Sequence, residues 1–296
     1  MANSFAALKR DRQETLTNLT SELEKTQTVQ TSFEDERLWK CERDKSGNGY
    51  AVIRFLPTAE GEDVPWVRVW NHGFQGPGGW YIENSLTTLT QKDPVSEYNT
   101  ALWNNGTEAG KEQARKQKRR LNYYSNIYVI KDPANPENEG QIRILRYGKK
   151  IFDKINDLMT PDFQDEEPVN PFDFWLGADF KMKIRMVEGF VNYDKSEFDT
   201  PSEFLGGNDK ELETTWNAQY QLSEFTSADN FKTYDELKTK FNRVLGLSDD
   251  PNLELQVSKF ETTAKVTEPD SISGDEVSTT EEGDTLSYFQ KLAEEQ

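Results

Sequence analysis

Cysteine is nearly absent from this 296-residue chain. Cys41 stands alone, so no internal disulfide framework can form and a reducing compartment is expected. Histidine is as scarce, with His72 the single example. No apolar run approaches the roughly 20 residues that a membrane helix needs, and the opening MANSFAALKRDRQE lacks the apolar core of a secretory signal. A soluble, cytosolic protein is expected. Apolar residues make up 34% of the chain, thin for its length, so part of it is expected to stay unpacked. Phosphate loops, HExxH pairs and nucleophilic triads are missing as well. An excess of positive charge is also lacking: the net charge is −18, and such a field repels a polyanion at long range.

The distribution of charge says more than its sum. Residues 247–296 hold thirteen acids and three bases, which leaves 40 acids against 32 bases for residues 1–246. Between Lys111 and Lys154 the balance reverses, with twelve Lys and Arg against five Asp and Glu. There the run KEQARKQKRR leads into Tyr123, Tyr124 and Tyr128 and then into RILRYGKKIFDK. Cations interleaved with aromatics suit unstacked nucleic acid, because cations neutralise phosphates while rings stack on base faces whatever the base. Duplex DNA offers no free faces. The expectation is a binder of single-stranded DNA.

Residues 1–25 carry Lys9, Arg10 and Arg12 ahead of Leu16, Leu19 and Leu23 at helical spacing. So short a helix is marginal in water, which leaves a frayed terminus or an arm that docks on a neighbouring molecule. Gly47-Asn48-Gly49 signals a turn before a buried strand, YAVIRFL. Further strands are expected at 67–71, 80–83, 124–131 and 141–147, and such short, punctuated strands suggest a small barrel or sandwich. Over 148–160, Ile151, Phe152, Ile155, Leu158 and Met159 share one helical face. FKMKIRM alternates strictly, placing Phe180, Met182, Ile184 and Met186 on one face and Lys181, Lys183 and Arg185 on the other, as a phosphate track or a solvated face. Helices are expected over 209–225 and from Thr233, which opens a capping-box pattern, to a stop at Gly246. Beyond Ser248 the acidic composition predicts disorder to about residue 283, and DTLSYFQKLAEEQ then regains helical spacing at Leu286, Phe289 and Leu292 as a short docking helix.

In order, GNGYAVIRFLP, VWNHGF, WYIE, YSNIYVIKDPANPENEG, RYGKKIFDKIN and GFVNYDKS resemble the single-stranded-DNA-binding, helix-destabilising proteins of T4-like bacteriophages. The resemblance runs from Gly47 to Tyr193, with weaker agreement to Gly246. It implies an α+β fold with a mainly β core, an OB-fold barrel with added helices. It also implies three parts: an N-terminal basic arm for self-association (1–25), a DNA-binding core (26–246) and an acidic partner-binding tail (247–296). By position it points to Arg54, Tyr81, Tyr98, Lys118, Arg119, Arg120, Tyr123, Arg146, Tyr147, Phe190 and Tyr193 as lining the cleft. Self-association is assigned to Lys9, Arg10 and Arg12, and partner binding to Leu286, Tyr288, Phe289 and Leu292. Leu145 stands where a relative carries an aromatic. The family's structural zinc is held by one His and three Cys. Here His72 is kept while Ser85, Asp93 and Ser96 occupy the cysteine positions, so no zinc and no cofactor is expected. Packing through Leu86, Leu89, Tyr98, Leu102 and Trp103 is expected to hold the 85–110 region instead.

The implied role is non-catalytic: cooperative cover of single strands during phage replication, recombination and repair, in the cytoplasm of an infected bacterial host. The enzyme alternative is a Mg²⁺-dependent nuclease built on Asp162, Asp179 and Lys181, a spacing that 53 acids make easy to find. An acidic DNA mimic would spread its carboxylates over the fold, which the basic segment contradicts. RNA binding is the nearer alternative, since stacking platforms accept either sugar.

Overall fold

The computed structural model describes residues 35–247 apart from Gln164. The chain divides into two units, Met1–Arg37 and Leu38–Gln296. The expected basic arm and the tail from residue 248 onward, with Leu286, Tyr288, Phe289 and Leu292, lie outside the described residues. The second unit is a mixed α and β body with a mainly β core.

The GNG turn forms as its composition predicts. Gly47 takes φ +80°, and Asp44 Oδ1 accepts from the backbone N–H groups of Ser46 and Asn48, so the chain reverses into β2 (Gly49–Phe55). Before it lies the short β1 (Leu38–Trp39), and after it come β3 (Val67–Gly76) and β4 (Gly79–Asn84), joined as a hairpin. The long β5 (Arg120–Lys131) organises the sheet. Along one edge it pairs antiparallel with β6 (Ile142–Tyr147); along the other, its first half pairs with β3 and its second half with β2. A register shift at Val52/Ile53 marks a bulge where β2 leaves this ladder. β2 continues to β7 (Asp179–Val187), which pairs with β8 (Phe190–Asn192) and β9 (Glu197–Phe198), and β1 runs parallel to β6.

Two helices stand where the sequence predicts packing alone. α1 (Pro94–Asn104) starts on the side-chain cap of Asp93 with proline in its first turn, and α2 (Glu108–Lys116) starts on Thr107. The cationic run is therefore half helix, with Lys111 and Lys116 paired to Glu108 and Glu112 at 3.0 and 2.7 Å. Of the residues expected to pack this region, Leu86 is buried and Trp103 is exposed beneath the Arg115 guanidinium. α3 (Lys149–Met159) buries Ile151 and Ile155, but Met159 is exposed. α4 (Asp209–Asn217) is shorter than expected, the rest of that stretch forming a 3-10 turn over Leu222–Thr226. α5 (Tyr234–Leu245) carries the full Thr233/Glu236 capping box and stops at Gly246 with φ +64°.

The main core lies between α3 and the face of β2, β5, β6 and β7 that carries Ile53, Phe55, Ile127, Tyr147 and Phe180. On β7 the alternation holds for Phe180, Met182 and Ile184, whereas Met186 is exposed near the hairpin end. Opposite them, Lys181 meets Asp199 at 2.6 Å, Lys183 meets Glu197 at 2.7 Å, and Arg185 Nε donates to Asp194 at 2.9 Å. That face is an ion-paired solvent surface.

Candidate nucleic-acid interface

Register decides which side chains meet. Directly paired residues of antiparallel strands share a face, so the pairs Arg68↔Tyr123 and Tyr123↔Tyr147 put those three side chains in one row across β3, β5 and β6. Two residues along, Trp70 pairs with Leu121 on the same face, and the Arg119 guanidinium lies 4.4 Å from the Trp70 ring centroid. Trp66, just ahead of β3, and Phe152 of α3 complete the group. The rings form a column from core to surface. Tyr147 donates or accepts through its hydroxyl to Ser125 Oγ at 2.9 Å and stacks on Tyr123 (5.6 Å, 18°). Tyr123 stacks on Phe152 (4.0 Å, 8°), Phe152 meets Trp66 edge-on (5.6 Å, 74°), and Trp66 leans on Phe172 (5.4 Å). Burial pushes the Tyr147 phenol up, so it stays neutral.

At the top of the column an open cleft of about 400 Å³ is lined by Val64, Trp66, Arg68, Tyr123 and Phe152. Arg68 is exposed, and among the described residues no carboxylate pairs with it or with the exposed Lys118. Unpaired cations beside half-exposed rings are what a single strand requires.

Comparison with known proteins agrees with that chemistry. A family model described as gp32 DNA binding protein like matches residues 47–245. The chain belongs to that family. The single-stranded DNA-binding protein of Enterobacteria phage T2 is 42% identical over 219 residues, covering 73% of this chain and 72% of its own length. The protein of the same description from Enterobacteria phage T4 matches to the same extent, and that of Escherichia phage SV14 is 48% identical over 69 residues, 23% of this chain and 61% of its own.

Within this gp32-like chain the residues expected in the cleft divide. Arg119 and Tyr123 share the cleft face, and Lys118 precedes them; Tyr147, expected to line the cleft, is 2% exposed and lies in the main core beneath Tyr123 instead. Arg120 and Arg146 pair with Asn71 and Tyr124, which places them on the opposite face of the sheet, where Tyr124 stacks on Phe225 at 4.4 Å. Two further expectations are corrected. Arg54 is 0% exposed: its guanidinium donates to Asp179 Oδ1 (3.1 Å) and to the carbonyls of Asp173 and Ser202 (both 2.9 Å). Burial lowers the Arg54 pKa and raises that of Asp179, so desolvation outweighs their attraction and the pair is a structural tie. Tyr81 is also 0% exposed, stacked on Phe74 at 5.0 Å, and a fully covered ring lines no surface. Tyr98 is half-buried against Phe241 (5.1 Å) in the same cluster. Phe190 is exposed near the tip of the β7–β8 hairpin, and Tyr193 packs at the margin of the main core.

Sequence reasoning does not reach Trp66, Arg68, Trp70 or Phe152. Phe152 lies in the basic stretch, but its spacing from Ile151 and Ile155 reads as core. The β3 residues give no signal, because which face of β3 joins Tyr123 depends on a pairing more than 50 positions away. Leu145 lies in the core at 4% exposure.

The positions implied to hold zinc do come together. Asp93 accepts from Ser96 N (2.9 Å), Ser85 Oγ (3.0 Å) and Leu86 N (3.2 Å), and its Oδ1 lies 3.2 Å from His72 Nε2. His72 Nδ1 lies 2.9 Å from the Gln117 carbonyl oxygen. Burial pushes the Asp93 carboxyl up, but His72, the Ser96 N–H and the Ser85 hydroxyl together pull it down to about 2. One imidazole, one carboxylate and two hydroxyls do not make a structural zinc set. Both Asp93 oxygens and both His72 nitrogens are moreover engaged with one another and their neighbours.

Proposed function

We propose that this chain is a non-catalytic, cooperative single-stranded-DNA-binding protein that uses the Trp66–Arg68–Tyr123–Phe152 cleft. The observation that carries the reading is the open cleft in which Arg68 and Tyr123 share one face of the sheet, flanked by Trp66 and Phe152. Phosphates are met by Arg68, Lys118 and Arg119. Bases are met by Trp66 and Phe152, each stacking contact contributing about 1–3 kcal/mol. Tyr123, covered on both sides by rings, stiffens the column from within. Duplex bases are already stacked on each other, so binding the open form alone draws the equilibrium toward it without ATP.

The fold is read as an OB-type barrel with added helices, supported by the way β5 shares one edge between β2 and β3. Residues 1–25 serve as the arm for self-association along DNA, 26–246 as the binding core, and 247–296 as the acidic tail that engages phage replication and recombination proteins. The tail's thirteen acids also compete with DNA for the cleft. The work is placed in phage replication, recombination and repair inside an infected bacterium. A nuclease built on Asp179 and Lys181 is not supported, since Asp179 is held by Arg54 and Lys181 by Asp199. The test is titration of labelled single-stranded and duplex oligonucleotides over a range of salt. Single strands are expected to bind much more tightly, with affinity falling steeply as salt rises; equal affinity for both forms refutes the reading.

A further inference from the structure

We propose that Asp93 is a positioning residue for the DNA-binding surface: its buried carboxylate, with His72, does the tying that a metal ion would do, and so sets where Lys118 and Arg119 stand. The inference rests on the function proposed above. Asp93 is 1% exposed and lies at the junction of three segments. It caps α1 through Ser96 N, holds the chain after β4 through Ser85 Oγ and Leu86 N, and meets β3 through His72. His72 extends the tie through Nδ1 to the Gln117 carbonyl, which also accepts from Asn99 Nδ2 of α1 at 3.0 Å. Gln117 is the C-cap of α2, and the next two residues are Lys118 and Arg119. Two strand positions from His72, on the same face of β3, Trp70 receives the Arg119 guanidinium.

The chemistry of the cluster is closed. Both ring nitrogens of His72 face oxygen atoms of the protein, the Gln117 carbonyl and the Asp93 carboxylate. A zinc-bound imidazole needs a bare nitrogen toward the metal, and here that nitrogen is directed at Asp93. Removing a buried carboxylate with this many donors leaves several of them without acceptors. Because the Gln117 carbonyl is held from both β3 and α1, the basic turn after it starts from a fixed point, and its Arg119 meets Trp70 on the cleft face of β3.

The experiment compares the unmodified full chain with Asp93→Asn, which keeps a helix-capping side chain but removes the charge. Single-stranded oligonucleotide affinity is measured against salt, at a temperature where circular dichroism shows both folded. Misplacing Lys118 and Arg119 is expected to weaken binding about tenfold and to flatten the log K against log salt slope by about 0.7 for each phosphate that is no longer neutralised. A folded Asp93→Asn chain with unchanged affinity and slope overturns the proposal, since a residue that only stabilises the fold alters melting and not the number of phosphates engaged. If that variant does not fold, His72→Gln is read by the same two quantities. In parallel, metal analysis of the unmodified chain is expected to find far less than one zinc per chain, with chelator leaving affinity unchanged. Stoichiometric zinc, or binding weakened by chelator, overturns the proposal from the other side. Failure of the unmodified chain to prefer single strands is a separate result, and counts against the proposed function.

Discussion

Tyr123 lies on the cleft face with its ring covered rather than offered. Its ring faces are taken by Tyr147 and Phe152, so the surfaces left to a base belong to Phe152 and Trp66. Trp66→Ala is therefore expected to weaken single-strand binding by about 1–3 kcal/mol, measured by fluorescence anisotropy. Arg68→Ala is expected to lower the salt slope by about 0.7, the share of one phosphate on a single strand. Cys41 gives an independent check on the core. Burial pushes its thiol up to about 12, so a thiol reagent at pH 8 is expected to leave the folded chain unmodified and to titrate one thiol after denaturation. Arg54 marks the limit of what single residues reveal. The resemblance places Arg54 in the cleft, whereas the carboxylate that pairs with it inside the fold lies 125 positions away, beyond the reach of any local signal.

At the scale of elements, local signals are legible and pairings are not. The strands around Tyr50, Trp80, Tyr128 and Arg143 and the capped helix ending at Gly246 can be read because turn glycines, capping residues and alternation act within a few positions. α1 and α2 are hidden by stronger signals: Asp93 reads as a replaced metal ligand before it reads as a helix cap, and KEQARKQKRR as a charge run before the surface of a helix. The division of Arg119 and Tyr123 from Arg120 and Arg146 onto opposite faces depends on strand register, which no short stretch encodes. The turn GPGG passes so near the end of α5 that a methyl group on Gly78 would lie 2.1 Å from the Arg243 carbonyl oxygen. Gly78→Ala is expected to cost about 1–3 kcal/mol through forced backbone displacement, read as a lower melting temperature; an unchanged melting temperature would mean that the turn and helix do not touch in solution.

At the scale of the whole molecule the question is how a chain of net charge −18 binds a polyanion. Segregation answers it: acids crowd residues 247–296, while among the described residues no carboxylate pairs with the exposed Lys118 or with Arg68, which lines the cleft. If the tail competes for that cleft, deleting residues 247–296 tightens DNA binding, most at low salt, because screening weakens tail and DNA alike; equal affinity with and without the tail would discount the competition. Deleting residues 1–25 is expected to reduce cooperativity on long strands and to spare binding to a short oligonucleotide. Whether the cleft itself is the binding surface is decided by the single-strand affinity of the Trp66→Ala/Arg68→Ala double variant, set beside that of the unmodified chain. A weakening of about 100-fold is expected, with the fold intact by circular dichroism. An affinity equal to that of the unmodified chain would place the DNA elsewhere.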